Sequence, residues 1–120
     1  MNLNINSDIS KAETLPSNFY KDLESFEIIK NKIFLRAWHW VGDENLIAEK
    51  NSLYPFTLLE GFLDEPLLLS RSTDKNIKCL SNVCTHRGNL LLLKPCKSAK
   101  IRCMYHGRRF ECDGKFEFMH

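Results

Sequence analysis

The sequence predicts a small, mainly β, antiparallel domain preceded by an N-terminal α-helix. Three observations carry that expectation. A length of 120 residues, with 43% hydrophobic and 27% charged side chains, provides for one hydrophobic core and not two. Apolar positions recur at three- and four-residue spacings only near the start of the chain, between Asp22 and Trp38. Beyond that, short runs of β-branched, leucine and aromatic residues are separated by Gly, Asp, Asn and Ser, the punctuation of strands and turns.

Residues 1–14 read as a disordered tail, because their opening stretch is rich in Asn and Ser and has too few apolar positions to bury. Residues 15–42 read as the helix and its lead-in. Over 22–38, Leu23, Phe26, Ile29, Ile33, Phe34 and Ala37 make an apolar stripe with Lys and Glu between them, and Asp22 is placed to cap the first turn. Residues 43–120 read as the β domain. Strands are expected at 38–41 ahead of Gly42-Asp43, at 54–60 ahead of Gly61, and at 67–71 and 76–82 as a hairpin across 72–75. Three more are expected at 100–103, 109–112 and 115–118, the last two joined at Asp113-Gly114.

Composition sets outer limits on function. A formal net charge of +2 is too mild to suggest a nucleic-acid-binding protein. The longest apolar run, 90–93, is far short of the roughly 20 residues that span a bilayer. The start of the chain lacks the basic, apolar and small-residue order of a secretory leader, and five cysteines are an odd number, so a cytoplasmic chain with ligand or buried thiols is expected. Charge is nevertheless lopsided: residues 1–83 carry 9 Lys/Arg against 12 Asp/Glu, whereas 84–120 carry 8 against 3.

The chemistry is concentrated in four residues. Cys84 and His86 are separated by one residue, and after 16 more come Cys103 and His106, separated by two. Thiolate and imidazole are the ligands of zinc or of an iron-sulfur centre. A structural zinc site is the first competitor, but such sites usually pair two Cys across two to four residues and two His across three to five, whereas here each pair is mixed. Mixed pairs suit two adjacent metal atoms, with each loop giving its Cys to one and its His to the other.

The segments Cys84-Thr85-His86-Arg87-Gly88 and Cys103-Met104-Tyr105-His106-Gly107 resemble the two binding loops of Rieske [2Fe-2S] proteins. The resemblance implies one [2Fe-2S] cluster per chain, with Cys84 and Cys103 ligating one iron and His86 and His106 the other. Two imidazoles in place of two thiolates make such a centre less negative and easier to reduce, with family potentials of about −150 to +300 mV. Cytochrome-complex members carry an extra Cys in each loop and a Ser, at the positions of Asn89, Tyr105 and Arg108 here, so a potential near the low end is expected. Gly88 and Gly107, just after the histidines, are expected in unusual backbone conformations near the cluster. Tyr105 and Arg87 are candidates to tune or shield the centre. Cys79, Cys96 and Cys112 are expected as small core residues or free thiols. Trp38 and Trp40, flanking His39, are expected in the core at the helix-to-strand join or near an electron route.

Among Rieske proteins, the flanks are similar to ring-hydroxylating, Rieske non-haem iron oxygenase large (alpha) subunits. The similar stretches are Leu15-Pro16-Ser17-Asn18-Phe19-Tyr20, Ile33-Phe34-Leu35-Arg36-Ala37-Trp38, Trp40-Val41-Gly42, Asn82-Val83-Cys84-Thr85-His86-Arg87-Gly88, and Tyr105-His106-Gly107-Arg108-Arg109-Phe110 with Asp113-Gly114. Many of those proteins have Pro and Trp where this chain has Met104 and Arg108. The resemblance implies a C-terminally incomplete Rieske domain, since 14 residues follow His106, and a parent whose mononuclear Fe(II) lies in a catalytic domain absent from this chain. The chain alone is then not expected to catalyse a reaction. The parent would be a mono- or dioxygenase, a homo-oligomer (trimer) fed by a ferredoxin or reductase, with no membrane or nucleic-acid partner. Arg87, Lys94, Lys97, Arg102, Arg108 and Arg109 would form a basic rim for an acidic donor. The alternatives are a stand-alone Rieske ferredoxin and the Cys2His2 zinc domain.

Overall fold

A computed structural model of the protein describes residues 4–72 and 76–119. The chain divides into two compact units, residues 1–39 and 40–120.

In the first unit a short 3-10 turn, Ser17–Lys21, leads into helix α1, Leu23–Lys32. Asp22 caps it as expected: its carboxylate accepts from the Ser25 backbone N–H at 2.7 Å and from the Ser25 hydroxyl at 2.6 Å. The helix is shorter than the expected 22–38. Ile33, Phe34 and Leu35 are three consecutive apolar residues, which cannot share one helical face, and the chain tightens there into a 3-10 turn, Phe34–Arg36. Lys30 and Lys32 lie in the last turn of α1, where cations complement the exposed carbonyls. His39 bonds the Phe34 carbonyl at 2.7 Å.

Where the first unit ends and the second begins, the expected strand at 38–41 is not formed. Those residues have no ladder partner among the described residues, and Trp38 and Trp40 are solvent-exposed instead of core. A 3-10 turn, Glu44–Ile47, follows, capped by Asp43 and anchored by the buried Ile47. Among the described residues seven strands come next: β1 Ser52–Leu58, β2 Glu65–Arg71, β3 Ile77–Ser81, β4 Cys96–Lys97, β5 Lys100–Arg102, β6 Arg109–Glu111 and β7 Phe116–Phe118. They form a four-stranded antiparallel sheet, β3-β2-β1-β4, and a three-stranded one, β5-β6-β7. The two-residue β4, which the sequence pattern does not suggest, pairs Leu53 with Cys96. β2 and β3 pair antiparallel up to Arg71 opposite Ile77, as the expected hairpin requires, while turn residues 73–75 lie outside the described residues. His120 lies outside them too.

The interior is built from both sheets and from the two cysteine-bearing loops. Leu53, Leu68, Cys84, Leu91, Ile101, Cys103, Phe110 and Cys112 form one buried cluster. Ser70 on β2, itself fully buried, donates from its hydroxyl to the Cys112 carbonyl at 2.7 Å and so ties the first sheet to the segment after β6. Of the three remaining cysteines, Cys112 is core, whereas Cys79 and Cys96 are exposed, and all three thiols are free. No described helix is long and apolar enough to cross a membrane.

Candidate metal centre

The two Cys-His segments are loops closed in the same way. In the first, between β3 and Leu90, the Cys84 N–H donates to the Asn89 carbonyl at 2.8 Å and the Gly88 N–H to the Cys84 carbonyl at 3.0 Å. In the second, between β5 and β6, the Cys103 N–H donates to the Arg108 carbonyl at 2.8 Å and the Gly107 N–H to the Cys103 carbonyl at 3.0 Å. Each loop thus closes on the fourth and fifth residues after its Cys, whether one residue or two separates Cys from His. Gly88 and Gly107 both turn through positive φ, 69° and 72°, a region that costs an L-residue roughly 1–2 kcal/mol.

This closure layers the four residues by depth. Cys84 and Cys103 are each only 2% exposed and sit in the core, their thiols within hydrogen-bonding reach of each other. His86 and His106 are exposed, with ring centroids 4.9 Å apart and planes at 70°. The Tyr105 ring lies 3.8 Å from that of His106 and so covers one side of it. The sequence alone brings the four residues into proximity; the structure adds that they separate into a buried thiol pair and an exposed imidazole pair.

The electrostatics favour a thiolate at the buried end. Burial works to raise the Cys103 thiol, yet the backbone N–H groups of Tyr105 and His106, with the side chains of Cys84 and Asn89, outweigh it and hold Cys103 below the ordinary thiol value. Desolvation, followed by the charges of His106, Arg87 and Arg108, moves His86 below its ordinary value. That favours the neutral imidazole a metal needs.

The donor set fits a [2Fe-2S] cluster. Two thiols lie buried beside each other and two imidazoles lie beside each other at the surface. A pairwise arrangement matches two metal atoms with different ligands better than one tetrahedral zinc.

Two supporting asparagines stand out. Asn82, 4% exposed, grips the chain leaving the first loop: its Nδ2 donates to the Leu92 carbonyl at 2.8 Å and its Oδ1 accepts from the Leu92 N–H at 3.0 Å. Asn89 directs its Nδ2 toward the Leu90 carbonyl, 2.7 Å, and Cys103 Sγ, 3.8 Å. The sequence places Asn82 at the head of the run that resembles the oxygenase subunits but gives no role to its side chain, whose one local cue is a polar residue at the end of a β run.

The expected basic rim is partly neutralised. Lys97 pairs with Glu49, and Arg109 pairs with Glu117 at 3.1 Å, so both charges are engaged within the domain. Arg108 packs its guanidinium 4.6 Å from the Phe116 ring centroid, and its Nε is buried without a hydrogen-bond partner. Arg87, Lys94 and Arg102 remain exposed near the loops.

Comparison with known proteins agrees with this geometry. The description "Rieske [2Fe-2S] domain" matches residues 37–119. The chain is 33% identical over 105 residues to the carnitine monooxygenase oxygenase subunit of Escherichia coli (strain K12), covering 87% of this chain and 27% of that one. It is 35% identical over 106 residues to the glycine betaine monooxygenase oxygenase subunit of Pseudomonas aeruginosa (strain UCBPP-PA14), covering 88% and 24%. Among solved structures, a quaternary ammonium Rieske monooxygenase, CntA, in complex with L-carnitine superposes with a TM-score of 0.78 at 30% identity, covering 89% of this chain and 30% of that one. Naphthalene 1,2-dioxygenase with indole bound superposes at 0.72 and 25% identity, covering 84% and 22%. The chain spans about a quarter of the length of the curated relatives it matches.

Proposed function

The chain belongs to the Rieske [2Fe-2S] domain family, and from that premise we propose that it is the electron-transfer region of a ring-hydroxylating-type oxygenase alpha subunit. The observation that carries the proposal is the layered pair of loops, with Cys84 and Cys103 buried and His86 and His106 at the surface. In this reading Cys84 and Cys103 hold one iron and His86 and His106 the other. Bound there, the cluster supplies one-electron carriage.

The chain's own residues set the conditions for that carriage. The core around the two cysteines excludes water from the thiolate side, where low dielectric strengthens each N–H directed at sulfur. The two exposed histidines, His106 partly covered by Tyr105, present the face at which electrons enter and leave. Exposed Arg87, Lys94 and Arg102 steer an acidic ferredoxin or reductase to that face. The relatives named above are oxygenases, which favours the oxygenase reading over a stand-alone carrier. In it, electrons pass on to a mononuclear iron site of a cytoplasmic homotrimeric parent.

Metal and acid-labile sulfide analysis of the purified protein tests the site, together with EPR of the reduced sample. The expected result is two irons and two sulfides per chain and a rhombic signal that disappears on oxidation. Zinc without sulfide would overturn the proposal. Electron uptake from an acidic ferredoxin is expected to slow as ionic strength rises, and rates independent of salt would remove the steering role.

A further inference from the structure

The two loops close alike, but the residues at their closing positions point in different directions. Arg108, fifth after Cys103, turns its guanidinium onto the Phe116 ring. Asn89, fifth after Cys84, instead reaches across to the other loop, with its Nδ2 3.8 Å from Cys103 Sγ. The orientation of this amide is determined. The same nitrogen is 2.7 Å from the Leu90 carbonyl, which can only accept, so the NH2 and not the oxygen faces inward. One of its protons serves Leu90, and the second is available to the sulfur.

We propose that Asn89 is a redox-tuning residue, whose carboxamide donates from the first loop to the sulfur of Cys103 in the second and holds the reduction potential above the value the loops would otherwise have. The proposal rests on the Rieske assignment and adds to it a specific donor. Reduction adds one negative charge to the centre. A hydrogen bond from a fixed N–H to a ligand sulfur is stronger in the more negative state, as bonds to charged acceptors are, so it favours the reduced form. The sulfur in question is buried and the donor is neutral, so the effect depends little on salt. The donation is also one-sided, reaching Cys103 from outside its own loop, and it ties the two loops together without a covalent link.

Asn89→Leu removes the donor at similar volume, and Asn89→Asp replaces it with an acceptor. Wild type and both variants are compared for iron and sulfide content and for midpoint potential by spectroelectrochemistry. With equal loading, Asn89→Leu is expected to make reduction about tenfold less favourable, a fall of about 59 mV for one electron. Asn89→Asp is expected to fall further. A fully loaded Asn89→Leu whose reduction equilibrium stays within about twofold of wild type overturns the proposal. If the variants do not load, pulsed EPR on reduced wild type carrying 15N-asparagine decides: a weak 15N coupling from the side chain supports the donor, and its absence refutes it. Wild type lacking sulfide would instead overturn the cluster assignment itself, and this proposal with it.

Discussion

Replacing Asn82 with alanine removes two hydrogen bonds and leaves everything else about that residue in place. The backbone bonds, from the Asn82 N–H to the Pro66 carbonyl and from the Leu91 N–H to the Asn82 carbonyl, both 2.9 Å, survive in Asn82→Ala. What is lost is the pair of side-chain bonds to Leu92 at 2.8 and 3.0 Å. Each is worth about 0.5–1.5 kcal/mol net, and each orphaned backbone group costs about 1–3 kcal/mol where water cannot replace the side chain. Leu92 is only partly buried, so some rehydration is open to it, and the total falls at about 2–4 kcal/mol. Urea unfolding followed by circular dichroism measures the change directly, with a lower midpoint and an unchanged slope expected. Because Asn82 anchors the far side of the first loop, faster loss of bound iron and sulfide is expected alongside. A loss of stability below about 0.5 kcal/mol would show that the Leu92 groups are solvated without Asn82 and that the grip is not structural. Asn82→Asp sharpens the test. The carboxylate keeps the acceptor for the Leu92 N–H but opposes the Leu92 carbonyl, so the folded-state pKa is raised above the unfolded one. The folded state then binds more protons, and the variant regains stability as pH falls through that raised value.

Two further outcomes follow from the fold. Leu68→Ala opens a cavity at a fully buried position of the central strand β2 and is expected to cost about 2–5 kcal/mol, read as a drop in urea midpoint; a loss under 1 kcal/mol would mean that the site collapses around the smaller side chain. The Lys100 hydrogen bond, against slight desolvation and with Arg109 assisting, holds Glu117 below its usual value of 4.5. A depressed folded-state value contributes stability above the unfolded pKa, lost as pH falls through the folded one. The stability difference between wild type and Glu117→Gln is therefore expected in full at pH 7 and to vanish in acid below both values, so a pH-independent difference would refute the assignment.

The parts of this protein that were legible in the sequence are those where one residue type has few uses. Asp22 before an apolar stripe specifies a helix start, and the carboxylate does cap α1. Gly88 and Gly107 mark turns that other residues enter only with strain, and both adopt positive φ. Cys84, His86, Cys103 and His106 stand at a spacing few folds share, and the structure gathers them into a buried thiol pair and an exposed imidazole pair. The misses have equally physical origins. The aromatic run around Trp38 and Trp40 has the composition of a strand, but a strand exists only where a partner offers a ladder, and pairing is not encoded locally. The helix stopped short because a period of 3.6 cannot accommodate three adjacent apolar residues on one side. Charges summed along 84–120 suggested a broad basic rim, whereas Glu49, 48 residues from the Lys97 it meets, and Glu117, eight from Arg109, neutralise part of it. Asn82 and Asn89 were opaque because an amide becomes structural only through the atoms that face it in three dimensions.

The matching closure of the two loops bears on which substitutions the centre would tolerate. The four bonds that shape them run entirely between backbone atoms of the chain, so side-chain changes at Thr85, Arg87, Met104 and Tyr105 leave every donor and acceptor of the closure in place. Gly88 and Gly107 differ, because each donates to the closure from positive φ, where any other residue would hold the bond under strain. The loops' shape thus makes its sequence demands at the two glycines, and the positions between can change charge and size with the surface a donor meets.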